Sequence, residues 1–174
     1  MNYLVIGGSK SGKSKISEDI ALVLNKDKVI YIATMKPSDK EDELRIKKHI
    51  ARRENLNFIT IEKQKDICEI IDEIHESDTV LIDSITSLLT NEMFDKNIIN
   101  DDPAPKIITE LQLIMNKAEN TVIVSDYVFS DGIIYDDVTE NYKRELGIVN
   151  KGLTRICENV LECTYGNVKY HKIR

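Results

Sequence analysis

Apolar residues along this chain fall into short β-branched runs, separated by longer stretches in which they return every three or four positions. The runs Tyr3–Ile6, Val29–Ala33, Phe58–Ile61, Thr79–Ile82 and Thr121–Ser125 are too short for helices. They mostly do not alternate with polar residues, which is the pattern of strands covered on both faces. Helical spacing occupies Lys15–Asn25, Asp39–Arg53, Lys65–His75, Ile85–Phe94 and Lys106–Lys117 between them. This alternation predicts an α/β fold with a mainly parallel sheet, helices on both faces and right-handed crossovers. The last third differs: Asp136–Cys157 reads as one helix, and "NVLECTYGNVKYHKIR" reads as a C-terminal antiparallel hairpin turning at Gly166-Asn167. The one linker-like stretch, "NIINDDPAP" at Asn97–Pro105, predicts an exposed loop. A chain of 174 residues with this organisation suits one domain, 1–174.

Between the first strand and the first helix stands "GGSKSGKS", residues 7–14, whose Gly7, Gly12, Lys13 and Ser14 match G-x-x-x-x-G-K-[ST]. At a strand-to-helix turn, successive backbone N–H groups surround an anion and the helix N-terminus adds favourable partial charge. Gly7, Gly8, Ser9, Lys10, Ser11 and Gly12 therefore predict a cradle for phosphates, making the fold P-loop NTPase-like. Lys13 is the residue to reach the β- and γ-phosphates, and the Ser14 hydroxyl the one to ligate Mg²⁺. The alternative is an ordinary glycine-rich turn.

Charge narrows the partners. A net charge of −6 gives no general attraction to nucleic acid or to an anionic membrane, so any basic site is local. The apolar run near the start is too short for a leader or a membrane span. Cys68, Cys157 and Cys163 are widely spaced with no C-x-x-C pair, and read as reduced, mostly buried thiols of a cytoplasmic protein.

Two predicted strands end in an acid. "TVLIDSITS" places Asp83 after an apolar run, the position of an acid that holds a nucleotide's Mg²⁺, and "TVIVSD" ends in Asp126. The competing role for either is to cap the next helix or turn. The guanine-reading N-K-x-D of switch GTPases is missing, its near matches being Asn25-Lys26-Asp27-Lys28 and Asn116-Lys117-Ala118-Glu119.

In "DELRIKKHIARR", the residues Arg45, Lys48, His49 and Arg52 recur at helical spacing, with Arg53 beside the stripe. An imidazole among four cations is held neutral at pH 7, because like charge disfavours protonation. A neutral ring nitrogen can attack phosphorus, and the cations suit a polyphosphate and a departing pyrophosphate. A solvated basic helix face with an incidental histidine is the alternative.

The ordered blocks "GGSKSGKS", "YIAT" at 31–34, "DELRIKKHIARR", "FITIE" ending in Glu62, and "VLIDSIT" at 80–86 resemble the bifunctional adenosylcobinamide kinase/adenosylcobinamide-phosphate guanylyltransferases of cobalamin biosynthesis. The resemblance extends over about the first half of the chain, with a weaker echo in "GIVN" at 147–150. It implies that His49 attacks the α-phosphorus of GTP, carries GMP as a phosphoramidate and passes it to adenosylcobinamide phosphate. It also implies a kinase step in which a nucleoside triphosphate, GTP or ATP, phosphorylates the hydroxyl of adenosylcobinamide. By position, it assigns nucleotide contacts to Gly7–Ser14, to Ala33, Thr34 and Met35, to Ile50, Ala51, Arg52 and Arg53, and to Glu62 and Asp83. Ser14 and Asp83 are the implied metal ligands, Lys13 and His49 the implied catalytic residues, and a homo-oligomer, commonly a trimer, the implied assembly. Two departures stand out: Lys48 replaces a second histidine, and "SDYVFSDGIIYDDVTENYKRELG" replaces an N-E-V-G block. A small-molecule or nucleoside kinase using the loop without a covalent step, and a nucleotide-gated regulatory module, are the competing readings.

Overall fold

In the computed structural model, the described residues are 1–37, 40–54, 56–95, 98–129 and 131–174. The side chains at 41–43, 45, 48, 49 and 52 fall outside them. The predicted cation stripe of Arg45, Lys48, His49 and Arg52 therefore lies outside the described side chains.

Seven strands form one sheet: β1 (Asn2–Gly7), β2 (Val29–Ala33), β3 (Phe58–Glu62), β4 (Thr79–Asp83), β7 (Asn120–Asp126), β8 (Asn159–Thr164) and β9 (Asn167–Lys172). Their order is β3-β2-β4-β7-β1-β8-β9, and every pairing is parallel except β8 with β9. The hairpin expected at the C-terminus is present, and its first strand also pairs in parallel with β1, so it extends the main sheet.

Period-two geometry explains why the strands look continuously apolar. Leu4, Ile30, Ile32, Val80, Ile82 and Ile123 point into one core, while Val5, Val29, Tyr31, Leu81, Val122 and Val124 point into the other. The first core is closed by α3 (Ile85–Met93), α4 (Ala104–Lys117) and α5 (Asp137–Ile156). The second is covered by α1 (Lys13–Leu24), whose Ile16, Ile20, Ala21 and Leu24 face the sheet. Asp136 starts α5 by accepting hydrogen bonds from Val138 N and Thr139 N, 3.1 and 3.0 Å long, which hold its carboxyl below the ordinary range.

Two expectations require correction. The stretch read as an α-helix over Lys65–His75 is a 3-10 helix at Ile67–Glu73. Its buried Ile67 and Ile70 lie three apart, and three residues per turn stacks such a pair on one side. The stretch read as a loop over Asn97–Pro105 contains β6 (Ile98–Ile99), paired antiparallel with β5 (Phe94–Asp95). It also includes the start of α4, where Pro105 occupies the first turn, a position without a required N–H donor. The remaining helix, α2 (Lys40–Arg53), follows β2.

Candidate active site

Parallel strands deliver their C-terminal ends to one edge of the sheet, and the glycine loop sits on that edge. Gly7 closes β1 where no side chain fits: a Cβ there would collide with Ser11 Oγ and lie 2.7 Å from the Cys163 carbonyl oxygen. Gly12 has φ +93°, a left-handed conformation that costs a residue with a Cβ. Ser11 N donates to Gly8 O over 3.2 Å, and Ser11 O accepts from Gly166 N over 3.2 Å, so the C-terminal hairpin braces the loop. Ser9 and Lys10 are exposed at its tip, whereas Ser11 and Lys13 are buried.

Lys13 turns back over the loop. Its Nζ donates to Gly8 O at 3.2 Å and lies 2.6 Å from Asp126 Oδ1. Asp126 Oδ2 accepts from Thr86 Oγ1 at 2.5 Å. On the neighbouring strand, Asp83 Oδ2 accepts from the Tyr31 hydroxyl at 3.0 Å. Burial, reinforced by the Asp83 charge, raises the Tyr31 phenol far above its ordinary value, so it remains a neutral donor. Neither acid caps a helix: Ser84 caps α3 and Asp136 caps α5. Both acids are therefore left to the cleft.

That cleft has a volume of about 430 Å³. Ser14, Asp83, Asp126 and the α3 residues Thr86, Ser87 and Thr90 form its polar side. Ala33, Met35, Pro37, Ile46 and Ile50 form an apolar side, and Glu62 and Lys47 contribute charge. An apolar lining with a few polar groups is the usual make-up of a small-molecule site. Helix α2 thus reaches the cleft through Ile46, Lys47, Ile50 and Arg53. Position 49 lies on the same helix, and its side chain is outside the described residues.

The residues assigned by resemblance divide. Ser14, Ala33, Met35, Ile50, Arg53, Glu62 and Asp83 line the cleft. Thr34 does not: it is fully buried, and its hydroxyl donates to Ser84 O at 2.7 Å while accepting from Ser84 N at 2.8 Å. Its side chain ties β2 to the start of α3. Ala51 is exposed away from the cleft lining, and Arg52 lies outside the described side chains. Arg53 is 6% exposed; its guanidinium stacks 3.4 Å above the Tyr31 ring centroid and lies 3.8 Å from Glu18 Oε1. Among the cleft residues that sequence reasoning did not single out are Tyr31, Thr86 and Thr90. A usable signal was present for the last two, since Thr86 and Thr90 lie four apart on the helix directly after the Asp83 strand.

A second carboxylate group lies away from the cleft. Among the described residues, Asp66, Glu92 and Glu110 present oxygens within 4.8 Å of one another. Lys106 occupies the position a cation would take, donating to Asp66 and Glu92 and lying 3.8 Å from Glu110. Its hydrogen bond lowers the Asp66 pKa, while burial raises that of Glu110. The three free cysteines also take no part: Cys68 is half-buried, Cys163 is buried, and burial pushes the Cys157 thiol up to about 12. Among the described residues, no helix is long and apolar enough to cross a membrane.

Known proteins resemble this chain in sequence and in fold. The sequence profile of a family described as cobinamide kinase / cobinamide phosphate guanyltransferase matches residues 3–169. The Escherichia coli "Bifunctional adenosylcobalamin biosynthesis protein CobU" is 36% identical over 96 residues, covering 55% of this chain and 51% of that protein. The chain thus aligns with about half the length of that relative. The Pseudomonas aeruginosa "Bifunctional adenosylcobalamin biosynthesis protein CobP" is 27% identical over 165 residues, covering 92% of this chain and 91% of the relative. Among solved structures, the ATPase domain of another protein superposes with a TM-score of 0.56 at 13% identity, covering 92% of this chain and 68% of that one. This likeness in fold agrees with a P-loop NTPase-like sheet.

Proposed function

The chain belongs to the cobinamide kinase / cobinamide phosphate guanyltransferase family, and from that membership we propose that it carries out both reactions its family is named for. In the first, a nucleoside triphosphate held by residues 7–14 phosphorylates the hydroxyl of adenosylcobinamide. In the second, His49 displaces pyrophosphate from GTP, and the resulting His49–GMP passes its GMP to adenosylcobinamide phosphate. Dividing the transfer into two displacements is ordinary nucleophilic catalysis.

The observation that carries this reading is the cleft itself. Ile46, Lys47, Ile50 and Arg53 of α2 line the same cavity as Ser14 and Asp83, so the helix bearing His49 borders the nucleotide-binding edge. Lys13 and the loop N–H groups supply positive potential for the phosphates. The apolar wall of Ala33, Met35, Pro37 and Ile50 suits the face of a nucleobase. Ser14 and Asp83 offer a hydroxyl and a carboxylate, hard oxygen donors of the kind Mg²⁺ takes beside substrate phosphates. When bound there, Mg²⁺ neutralises phosphate charge. Asp83 is kept ready for that role by Tyr31, which fixes one of its oxygens.

Incubation with [α-³²P]GTP and Mg²⁺ tests the covalent step. The expected result is protein-bound label that is labile to acid and stable to base, and that disappears in His49→Ala. Unlabelled wild-type protein would leave a kinase without a guanylyl carrier, in which Lys13→Ala abolishes activity and His49→Ala does not.

A further inference from the structure

We propose that Asp126 is the general base of the kinase step, taking the proton from the acceptor hydroxyl; this rests on the kinase half of the function above. The placement begins with strand register. Gly7 pairs with Asp126 across the parallel β1–β7 ladder, which puts this carboxylate beside the first residue of the phosphate loop. Asp83 pairs with Val124 on the same strand, so Asp126 lies two residues further toward the open edge than the metal-site acid.

Its two oxygens have separate partners. Oδ2 accepts from Thr86 Oγ1, which fixes the plane of the carboxylate, while Oδ1 lies 2.6 Å from Lys13 Nζ. Lys13 is the residue of this motif that moves onto the β- and γ-phosphates when nucleotide binds. Once it does, Oδ1 loses its cation and is left next to the end of the triphosphate, facing a cleft that it lines. The pairing thus has two states: Lys13 neutralises Asp126 without nucleotide, and frees it as a base when nucleotide is present.

The backbone around Asp126 is held firmly enough for such a role. Buried Asn150 accepts from Ser125 Oγ at 2.7 Å and donates from Nδ2 to Asp126 O at 3.5 Å. Tyr127 N donates to Gly7 O at 3.2 Å. Thr86 is anchored in turn by Tyr142, whose hydroxyl donates to Thr86 O at 3.2 Å.

In the step itself, the acceptor hydroxyl oxygen forms a bond to the γ-phosphorus. The bond from that phosphorus to the β–γ bridging oxygen breaks, and the nucleoside diphosphate leaves with its electron pair. The hydroxyl proton passes to Asp126 and from there to solvent. General-base assistance of this type contributes roughly 10²–10⁴-fold.

The test uses Asp126→Asn, which keeps an oxygen to accept the Thr86 hydrogen bond. Two rates and one affinity are compared with wild type: phosphorylation of adenosylcobinamide, GMP transfer to adenosylcobinamide phosphate supplied ready-made, and the Kd of a fluorescent GTP analogue. The expected result is a kinase kcat lowered about 100-fold or more, with nucleotide affinity no weaker than wild type and GMP transfer reduced far less. The acid limb of the wild-type kinase pH profile should also flatten in the variant. A kinase kcat within about threefold of wild type, or an equal fall in both reactions, would overturn the assignment and leave Asp126 as a partner of Lys13 only. Wild-type protein that phosphorylates no cobinamide would instead remove the kinase reading itself, and that outcome is visible before any variant is made.

Discussion

Lys13 Nζ and Asp126 Oδ1 lie 2.6 Å apart, with side chains only 11% and 24% exposed, so the loop lysine has a carboxylate partner before any nucleotide arrives. In the proposed nucleotide complex that partner is exchanged for phosphate oxygens. Lys13→Ala removes both interactions. In the nucleotide-free protein the loss is about 1–3 kcal/mol, because a mostly buried carboxylate is left without its cation, although Asp126 keeps its Thr86 hydrogen bond. The second effect is on linkage. Wild type at a hundredfold excess of Mg-GTP over Kd should gain about 2.7 kcal/mol in unfolding free energy, and Lys13→Ala almost none. Thermal melts with and without Mg-GTP measure both quantities.

Gly7 and Gly8 are adjacent and make opposite predictions. A Cβ on Gly7 meets the Cys163 carbonyl oxygen at 2.7 Å, backbone that cannot move without parting β1 from β8. A Cβ on Gly8 meets nothing within 4 Å. Gly7→Ala should therefore cost roughly 1–3 kcal/mol as an overpacking change and disturb the loop with it. Gly8→Ala should leave stability within about 0.5 kcal/mol of wild type. Urea unfolding of the pair decides the matter, and equal stabilities would contradict the close approach at Gly7.

The contrast between these glycines marks where the sequence was legible. The G-x-x-x-x-G-K-S spacing located the loop because that motif is local: strand, turn and helix follow one another. The parallel sheet was readable for a related reason. Residues such as Val80 and Leu81 face different cores, and only a doubly covered strand demands apolar side chains at both. Non-local geometry was not readable. The approach of Asp126 to Lys13 depends on the β1–β7 register, which joins residues more than a hundred positions apart. Thr34 was assigned to the nucleotide by its place in a block, yet its hydroxyl is engaged by Ser84 across a neighbouring element. The Lys65–His75 stretch carried helical spacing, and only the stacking of Ile67 and Ile70 against the core distinguishes a 3-10 turn from an α-helix.

Tyr31 connects two parts of the site that the sequence lists far apart. Its hydroxyl donates to Asp83 Oδ2, and its ring carries the Arg53 guanidinium at the end of α2. Tyr31→Phe removes the first contact and keeps the second. At pH 8 the variant should be less stable by about 1 kcal/mol, the usual net value of one hydrogen bond. Mg²⁺-dependent nucleotide binding should weaken with it, because Asp83 loses the donor that orients it. The pH dependence has a defined sign. Burial and the Asp83 charge raise the folded phenol above its unfolded value near 10, so the unfolded state releases its proton first as pH rises. The stabilising contribution of Tyr31 is complete below pH 10 and shrinks above it, by at most about 1.4 kcal/mol per pH unit. The stability gap between wild type and Tyr31→Phe should consequently narrow, and then reverse, between pH 8 and pH 11. Urea unfolding of both proteins across that range measures the gap, and a gap that stays constant would mean the Tyr31 hydroxyl ionises as freely in the folded protein as in the unfolded chain.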